Sequence, residues 1–231
     1  MKAVWRLSRW ALAVPVLIVI AWQGWYLGWV VWWKFVNPAT TSFMALRLDE
    51  LREKDPRAEL KKQWTTYERI SVNLKRAVVA AEDAKFSEHE GFDWEGIQKA
   101  LEKNQKKGRI VAGGSTISQQ LAKNLLLSGS KTPWRKAQEA VITLMLETLW
   151  DKRRILEVYL NVVEWGDGVF GAEAAARRYF GISAAQLGPE QAARLAVMLP
   201  APRRYERNPY SAYMNGRTEL ILGRMNNAVV P

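Results

Sequence analysis

Glu82-Asp83-Ala84-Lys85-Phe86-Ser87-Glu88-His89-Glu90-Gly91 and Gly114-Ser115-Thr116-Ile117-Ser118-Gln119-Gln120-Leu121-Ala122-Lys123-Asn124 are the two blocks around which the chain is organised. The first sets two adjacent carboxylates and the chain's only histidine beside a glycine. The second runs from a glycine turn into a helix with two opposed stripes. Ile117, Leu121 and Leu125 recur at i, i+4 and i+8, and Ser115, Gln119 and Lys123 recur at the same spacing two residues earlier. Residues two apart lie about 200° apart around a helix, so one stripe faces a core and the other faces away from it. Gln120 and Asn124 flank the polar stripe, and Ser115 is the expected N-cap. A row of Ser, Gln, Lys and Asn without a carboxylate is suited to donating hydrogen bonds to an anion or to hydroxyl groups.

The pattern continues outward from these blocks. Leu74, Ala77, Val78 and Ala81 fall at i, i+3, i+4 and i+7, which places Glu82 at or near the C-terminal end of a helix. Asp93 caps the next helix, with Trp94, Ile97 and Leu101 on one stripe and Gly108 as its stop. Residues 108–114 then form a glycine-containing loop that carries Arg109. Thr132-Pro133 is a cap followed by an N1 proline. That helix is expected to turn Ala137, Val141, Leu144, Met145 and Thr148 inward and holds Arg135, Lys136 and Glu139 in its first turns. Asp151 caps another, with Ile155, Val158, Tyr159 and Val162 inward and Lys152 and Arg153 at its start. Gly166, Gly168 and Gly171 mark a loop. Helices are expected over 172–180, from Gly188-Pro189 to Pro200, and over 216–229. No alternating strand pattern is visible, so the domain reads as all-α with short loops.

Residues 11–33 contain no charged side chain. As a helix they span roughly 35 Å, enough for a bilayer core. Trp22, Trp25, Tyr26, Trp29, Trp32 and Trp33 sit in the second half of this run, where an interfacial belt belongs. Lys2, Arg6 and Arg9 precede it, whereas only Lys34 follows before Arg47, which puts the N-terminus in the cytoplasm. The run is too long for a signal-peptide core, and no small-x-small site follows it closely. The expected organisation is a cytoplasmic N-terminus over 1–10, a transmembrane helix over 11–33, a membrane-proximal segment over 34–69 and a main domain over 70–231 outside the cytoplasm. Net charge is +11 and the first acidic residue is Asp49, so the part beyond the anchor is basic in its own right. A basic balance favours phosphate-bearing or other anionic partners. There is no cysteine, hence no disulfide framework and no thiolate metal site.

Each feature also has an ordinary reading. Glu82-Asp83 fits a solvated helix end. A lone histidine such as His89 is ordinarily a structural hydrogen-bonding residue, and no metal site is assigned to it. Glu139, one turn after Arg135, suits an ion pair near a helix start. Three motifs fail. Residues 108–115 lack the lysine and preceding strand of a phosphate loop. Ser128-Gly129-Ser130-Lys131 matches S-x-x-K without its companion motifs. The basic clusters at 99–109 and 203–207 carry no nucleic-acid module signature.

Co-occurrence outweighs these ordinary readings. Residues 82–91 match E-D-x-x-F-x-x-H-x-G, 114–124 match G-S-T-I-x-Q-Q-x-x-K-N, and 135–139 match R-K-x-x-E. Residues 152–161 match K-x-x-I-L-E-x-Y-L-N, and 177–181 read R-R-Y-F-G. With five ordered motifs over about residues 70–205, the chain resembles the peptidoglycan glycosyltransferases (glycosyltransferase family 51) in their monofunctional form. Lys131 departs from the arginine common in relatives, keeping the charge but losing bidentate geometry.

The resemblance implies an all-α, lysozyme-like, bilobal domain behind one transmembrane helix. It implies polymerisation of lipid II into β-1,4-linked glycan strands, with inversion and release of undecaprenyl pyrophosphate, in cell wall biosynthesis at the inner membrane. Glu82 and Glu139 match the family's catalytic glutamates. Asp83, Ser115, Thr116, Gln119, Gln120, Lys123, Asn124, Lys131, Arg135 and Lys152 are the implied substrate-binding residues. A divalent cation, Mg or Mn, is commonly implicated in the family. Partners implied are lipid II, the growing lipid-linked strand, the membrane and the division or elongation proteins, with no nucleic acid. Residues 108–114 and part of 125–132 are expected to move. The rivals are a peptidoglycan hydrolase on the same scaffold, for which two carboxylates would also serve, and a non-catalytic cell-wall scaffold.

Overall fold

The computed structural model describes residues 2–109, 113–127, 129–130 and 132–231. The chain divides into two compact units, Met1–Asn37 and Pro38–Pro231.

The first unit is one helix, α1 (Lys2–Phe35), interrupted by no break although Pro15 lies inside it. Its stretch Ala13–Phe35 has a mean hydropathy of 1.6 over 23 residues, long enough to cross a bilayer and consistent with a membrane anchor. Trp22, Trp25 and Trp32 are more than half exposed, so this apolar surface is not used for an internal core.

The second unit is built from ten helices among the described residues: α2 (Ser42–Arg52), α3 (Val72–Glu82), α4 (Trp94–Lys107), α5 (Ile117–Leu126), α6 (Pro133–Leu149), α7 (Lys152–Val162), α8 (Ala172–Phe180), α9 (Pro189–Met198), α10 (Pro202–Tyr205) and α11 (Ala212–Met225). One half of the core packs α3 against α9 and α11. Leu74, Ala77, Val78 and Val79 on α3 meet an alanine-rich face of α9, where Ala192, Ala193 and Ala196 let the helices approach closely. The other half packs α5 against α6 and α7. Ile117, Leu121 and Leu125 form the buried stripe of α5 that their spacing requires, and Ile155, Val158, Tyr159 and Val162 form that of α7.

The sequence expectations hold for most helices and fail in instructive places. A small sheet breaks the all-α pattern: β1 (Lys61–Lys62) pairs parallel with β3 (Val169–Phe170), and β2 (Glu164–Gly166) pairs antiparallel with β3. Strands of two or three residues are too short to show alternation, and the glycines read as a loop form this hairpin. The last helix begins at Ala212, capped by Ser211, and ends at Met225 rather than spanning 216–229. The inward face of α6 is Gln138, Glu139, Ile142, Thr143 and Leu146, while Val141 and Leu144 are exposed. Here the buried face is partly polar because its groups are hydrogen-bonded, Thr143 Oγ1 donating to the Glu139 carbonyl at 2.8 Å, so apolarity marked the wrong side. On α4 only Ala100 is buried, with Trp94 and Leu101 exposed. The stretches expected to move include residues 110–112, 128 and 131, which lie outside the described residues.

Candidate active site

The site is assembled where the C-terminus of α3 meets the N-terminus of α5. Asp83 follows directly after α3 and is buried, and both of its oxygens are committed. Oδ2 accepts from the Ile117 N–H at 3.0 Å, and Oδ1 lies 2.9 Å from His89 Nε2. The Gly91 N–H donates to His89 Nδ1 at 3.1 Å, which makes the neutral ring with its proton on Nε2 the fitting tautomer. His89 is therefore a structural link, as its isolation in the sequence suggested. Gly91 has φ 89°, and a Cβ there would lie 2.8 Å from Thr143 Cγ2 and 3.0 Å from Glu147 Cγ, so this loop sits directly on α6. Its carbonyl accepts from Thr116 Oγ1 at 2.7 Å.

The N-cap of α5 is Thr116, not Ser115. Thr116 Oγ1 accepts from the Gln119 N–H at 3.2 Å, and Gln119 Oε1 accepts from the Thr116 N–H at 3.0 Å, a reciprocal capping box. Of the expected ligand contacts, Asp83 and Thr116 thus hold residues 83–91 against α5, and the Gln119 carbonyl oxygen closes the cap of α5. Stripe spacing could not separate them from their neighbours, because a first-turn glutamine that reaches back to its own cap has the same periodicity as one that reaches outward.

Glu82, the last residue of α3, is different. Its Oε2 accepts from Gln120 Nε2 at 2.8 Å, and Gln120 Oε1 accepts from the Tyr159 hydroxyl at 3.0 Å. The Tyr159–Gln120 bond orients the amide so that its NH2 points at the carboxylate. Oε1 of Glu82 makes no hydrogen bond among the described residues. Burial pushes the Glu82 carboxyl above its ordinary pKa, and neighbouring Asp83 adds to this, while the Gln120 hydrogen bond, Lys123 and Arg217 oppose it. Burial also raises the Tyr159 phenol, with Glu82 and Asp83 reinforcing it, so Tyr159 stays a protonated donor.

The second carboxylate, Glu139 on α6, is buried and held between cations. Oε2 accepts from Arg135 Nη1 at 2.6 Å, and Oε1 pairs with Lys136. Lys136 Nζ also reaches Ser115 Oγ at 3.3 Å. The Nε of Arg135 is buried without a hydrogen-bond partner. Lys123 is pulled below its ordinary pKa by burial; Glu139 opposes this, Arg135 and Lys136 add to it, and Glu82 opposes it. Lys123 therefore feels both carboxylates at once. Lys152 joins a different group: its Nζ lies 2.8 Å from Glu147 Oε1 and 4.7 Å from the centre of the Phe86 ring, and Ser118 Oγ binds the same Glu147 oxygen. Lys131 lies outside the described residues.

Gln120, Lys123 and Asn124 open into a cleft of about 880 Å³. Its other walls are Phe43 on α2, Lys54, Glu164 and Asp167 of the hairpin, Arg178 on α8 and much of residues 199–207. Arg47 on α2, 2% exposed, clasps the hairpin wall through Nε to Glu164 at 3.0 Å and Nη2 to Asp167 at 2.5 Å. Sequence reading missed this clasp, the Tyr159 hydrogen bond and the influence of Arg217. Tyr159 was legible only as core, and the arginines at 203–207 only as a charge cluster.

The arrangement can do two things. It offers a carboxylate of raised basicity with one free oxygen, and a cluster of cations around a second carboxylate able to receive negative charge. Comparison with known proteins agrees. The transglycosylase family profile matches residues 48–226. The chain is 64% identical to a biosynthetic peptidoglycan transglycosylase of Dechloromonas aromatica (strain RCB), 62% identical to one of Azoarcus sp. (strain BH72) and 60% identical to one of Aromatoleum aromaticum (strain DSM 19018 / LMG 30748 / EbN1), each over 231 residues and the whole of both chains. The mostly helical unit fits the lysozyme-like fold of that family. The chain thus belongs to the transglycosylase family and is a peptidoglycan glycosyltransferase of cell wall synthesis.

Proposed function

We propose that the enzyme polymerises lipid II, joining the 4-hydroxyl of one disaccharide to the anomeric carbon of another and releasing undecaprenyl pyrophosphate. The observation that carries this is the setting of Glu82: half-buried, raised in pKa, and hydrogen-bonded through one oxygen only, to Gln120, which lines the cleft with Lys123. Its free Oε1 takes the proton of the acceptor hydroxyl as the new C–O bond forms. The bond from the donor's anomeric carbon to the diphosphate breaks on the opposite side of that carbon, which inverts it to a β-1,4 linkage. Negative charge then grows on the diphosphate. Lys123 and Arg135, with the unpartnered Nε of Arg135, are placed to receive it, and Lys136 and Ser115 extend the same cationic edge. Glu139 holds Arg135 and Lys136 in position. Gln120 orients Glu82, and Asn124 lines the donor side.

A resident divalent cation does not fit this donor set. Among the described residues no group of three or more His, Asp or Glu side chains converges, and both oxygens of Glu139 are already taken by cations. No step here uses a metal; Mg or Mn would enter with the substrate diphosphate.

The substrate's lipid tail explains the anchor, which holds the enzyme where its substrate is. The charges of Lys2, Arg6 and Arg9 before the apolar stretch orient the N-terminus to the cytoplasm and the second unit to the outer face of the inner membrane. Incubating detergent-solubilised enzyme with labelled lipid II tests the reaction. A ladder of long strands that vanishes in Glu82→Gln is the expected result. Shortening of finished strands would assign hydrolysis instead, and neither activity in a folded protein would leave a scaffold.

A further inference from the structure

The charges along the cleft are unequally committed. Its acids are satisfied within the protein. Glu164 and Asp167 are tied to the buried Arg47, and Glu206 accepts from the Asp167 N–H at 2.7 Å and faces Arg178 at 3.4 Å. Several of its bases are not. Lys54, Arg204 and Arg207 line the same cleft, and their side chains make no ion pair or hydrogen bond among the described residues. Arg203 reaches only Glu50, at 3.7 Å. A wall that neutralises its carboxylates internally and turns unpaired cations to a cavity carries a net positive potential.

These cations are not needed for the leaving group. The diphosphate reading uses Lys123, Arg135 and Lys136, which share the field of Glu139. The free arginines instead lie on α10 and the turn after it, reached through the same continuous cleft. At about 880 Å³ the cleft sits at the large end of the roughly 300–1,000 Å³ range of single-ligand pockets. It has room for glycan beyond the reacting sugars. Peptidoglycan strands differ from a neutral polysaccharide by their peptide side chains, which bear free carboxylates. Guanidinium groups bind carboxylates through paired hydrogen bonds in a fixed fork.

We propose that Lys54, Arg204 and Arg207, with Arg203 and Arg178 beside them, form a carboxylate-recognition wall for the acidic peptide side chains of the glycan, so that the enzyme distinguishes charged from charge-blocked strands. This rests on the reading of the cleft as the polymerisation site. The wall also makes binding salt-sensitive, since exposed cations act through a screened field.

The test uses the full chain in neutral detergent. Labelled uncrosslinked glycan strands are titrated in two forms, one with free peptide carboxylates and one with those carboxylates amidated. The wild type is expected to bind the acidic strands about tenfold more tightly, and an Arg204→Gln/Arg207→Gln variant to bring that ratio close to one. In turnover, kcat/KM of the wild type should show the same preference between acidic and amidated lipid-linked substrate, and the preference should shrink in 0.5 M salt. Thermal melts confirm that the variant is folded, and Lys54→Gln alone should reduce the ratio partially. Equal binding of both strands by the wild type overturns the wall, as does a variant that weakens both equally. A variant that keeps the acidic-strand preference but loses affinity for anionic phospholipid vesicles assigns the cations to lipid phosphate and overturns it too. Absence of polymer from the wild type, with the binding preference intact, breaks the polymerase reading and leaves the wall standing.

Discussion

Glu82 and Glu139 influence the same lysine, Lys123, from opposite chemical settings. Glu82 lies at the end of α3, with Asp83, Lys123 and Arg217 near enough to act on it but no ion pair, one hydrogen bond, from Gln120, and one oxygen free among the described residues. Glu139 lies in the second turn of α6, with Arg135 on one oxygen and Lys136 on the other. Burial makes the first carboxylate more basic, whereas the second is locked between two permanent partners. Two carboxylates in one site thereby become suited to two jobs, one to accept a proton and the other to hold cations in place.

The sharpest way to break this comparison is to neutralise each carboxylate in turn. Glu82→Gln should lower lipid II turnover by about 10³-fold or more, the upper part of the range for a lost general base. Its circular dichroism and melting temperature should be unchanged. Glu139→Gln should cost less, about 10²-fold and mainly in kcat, because Arg135 and Lys136 remain but are no longer aimed. Turnover measured on both variants decides the matter, and the reverse ranking would exchange the two roles.

Asp83 extends the comparison to a carboxylate adjacent in sequence. With both oxygens given to Ile117 and His89, Asp83→Ala should destabilise the fold by about 2–3 kcal/mol, read as a lower melting temperature. Residual activity per folded molecule should stay well above that of Glu82→Gln. Loss of activity without loss of stability would return Asp83 to the substrate-binding set.

The smallest expected effect is a shift along the pH axis. As the proposed base Glu82 has to be ionised, and its pKa lies above the ordinary carboxylate value of about 4.3. The acidic limb of kcat/KM should therefore fall at a pH above that value. Gln120 lowers the Glu82 pKa through its hydrogen bond, so Gln120→Ala should move the limb further up, with about a tenfold loss at neutral pH. A limb that stays in place in the variant would detach Gln120 from the base.

Much of this was legible beforehand because it rests on local rules. The caps at Asp93, Thr132 and Asp151 and the stop at Gly108 were readable from residue type and position, and the structure has all four. The apolar stripes of α3, α5 and α7 were readable from spacing. The α6 face was not, because a site places polar groups on a buried surface and inverts the usual sign of the pattern. The sheet was not, because its strands are shorter than one period of alternation. Lys152 read as one more cation for substrate, but its partner Glu147 comes from another helix, which no spacing within α7 reveals.

By itself, then, the sequence determined the helical elements, an apolar stretch long enough to anchor the chain, and a family whose motifs concentrate carboxylates, amides and cations in two blocks. Only the tertiary structure decided how those groups divide. It spends Asp83 and Thr116 on joining residues 83–91 to α5 and the Gln119 carbonyl oxygen on the cap of that helix, leaves Glu82 with a free oxygen among the described residues, and turns Lys54, Arg204 and Arg207 toward the cleft. The physical reason is that residue type sets what a polar group can bond to. Whether its partner is another part of the protein or a ligand depends on which elements packing brings within about 3 Å of it.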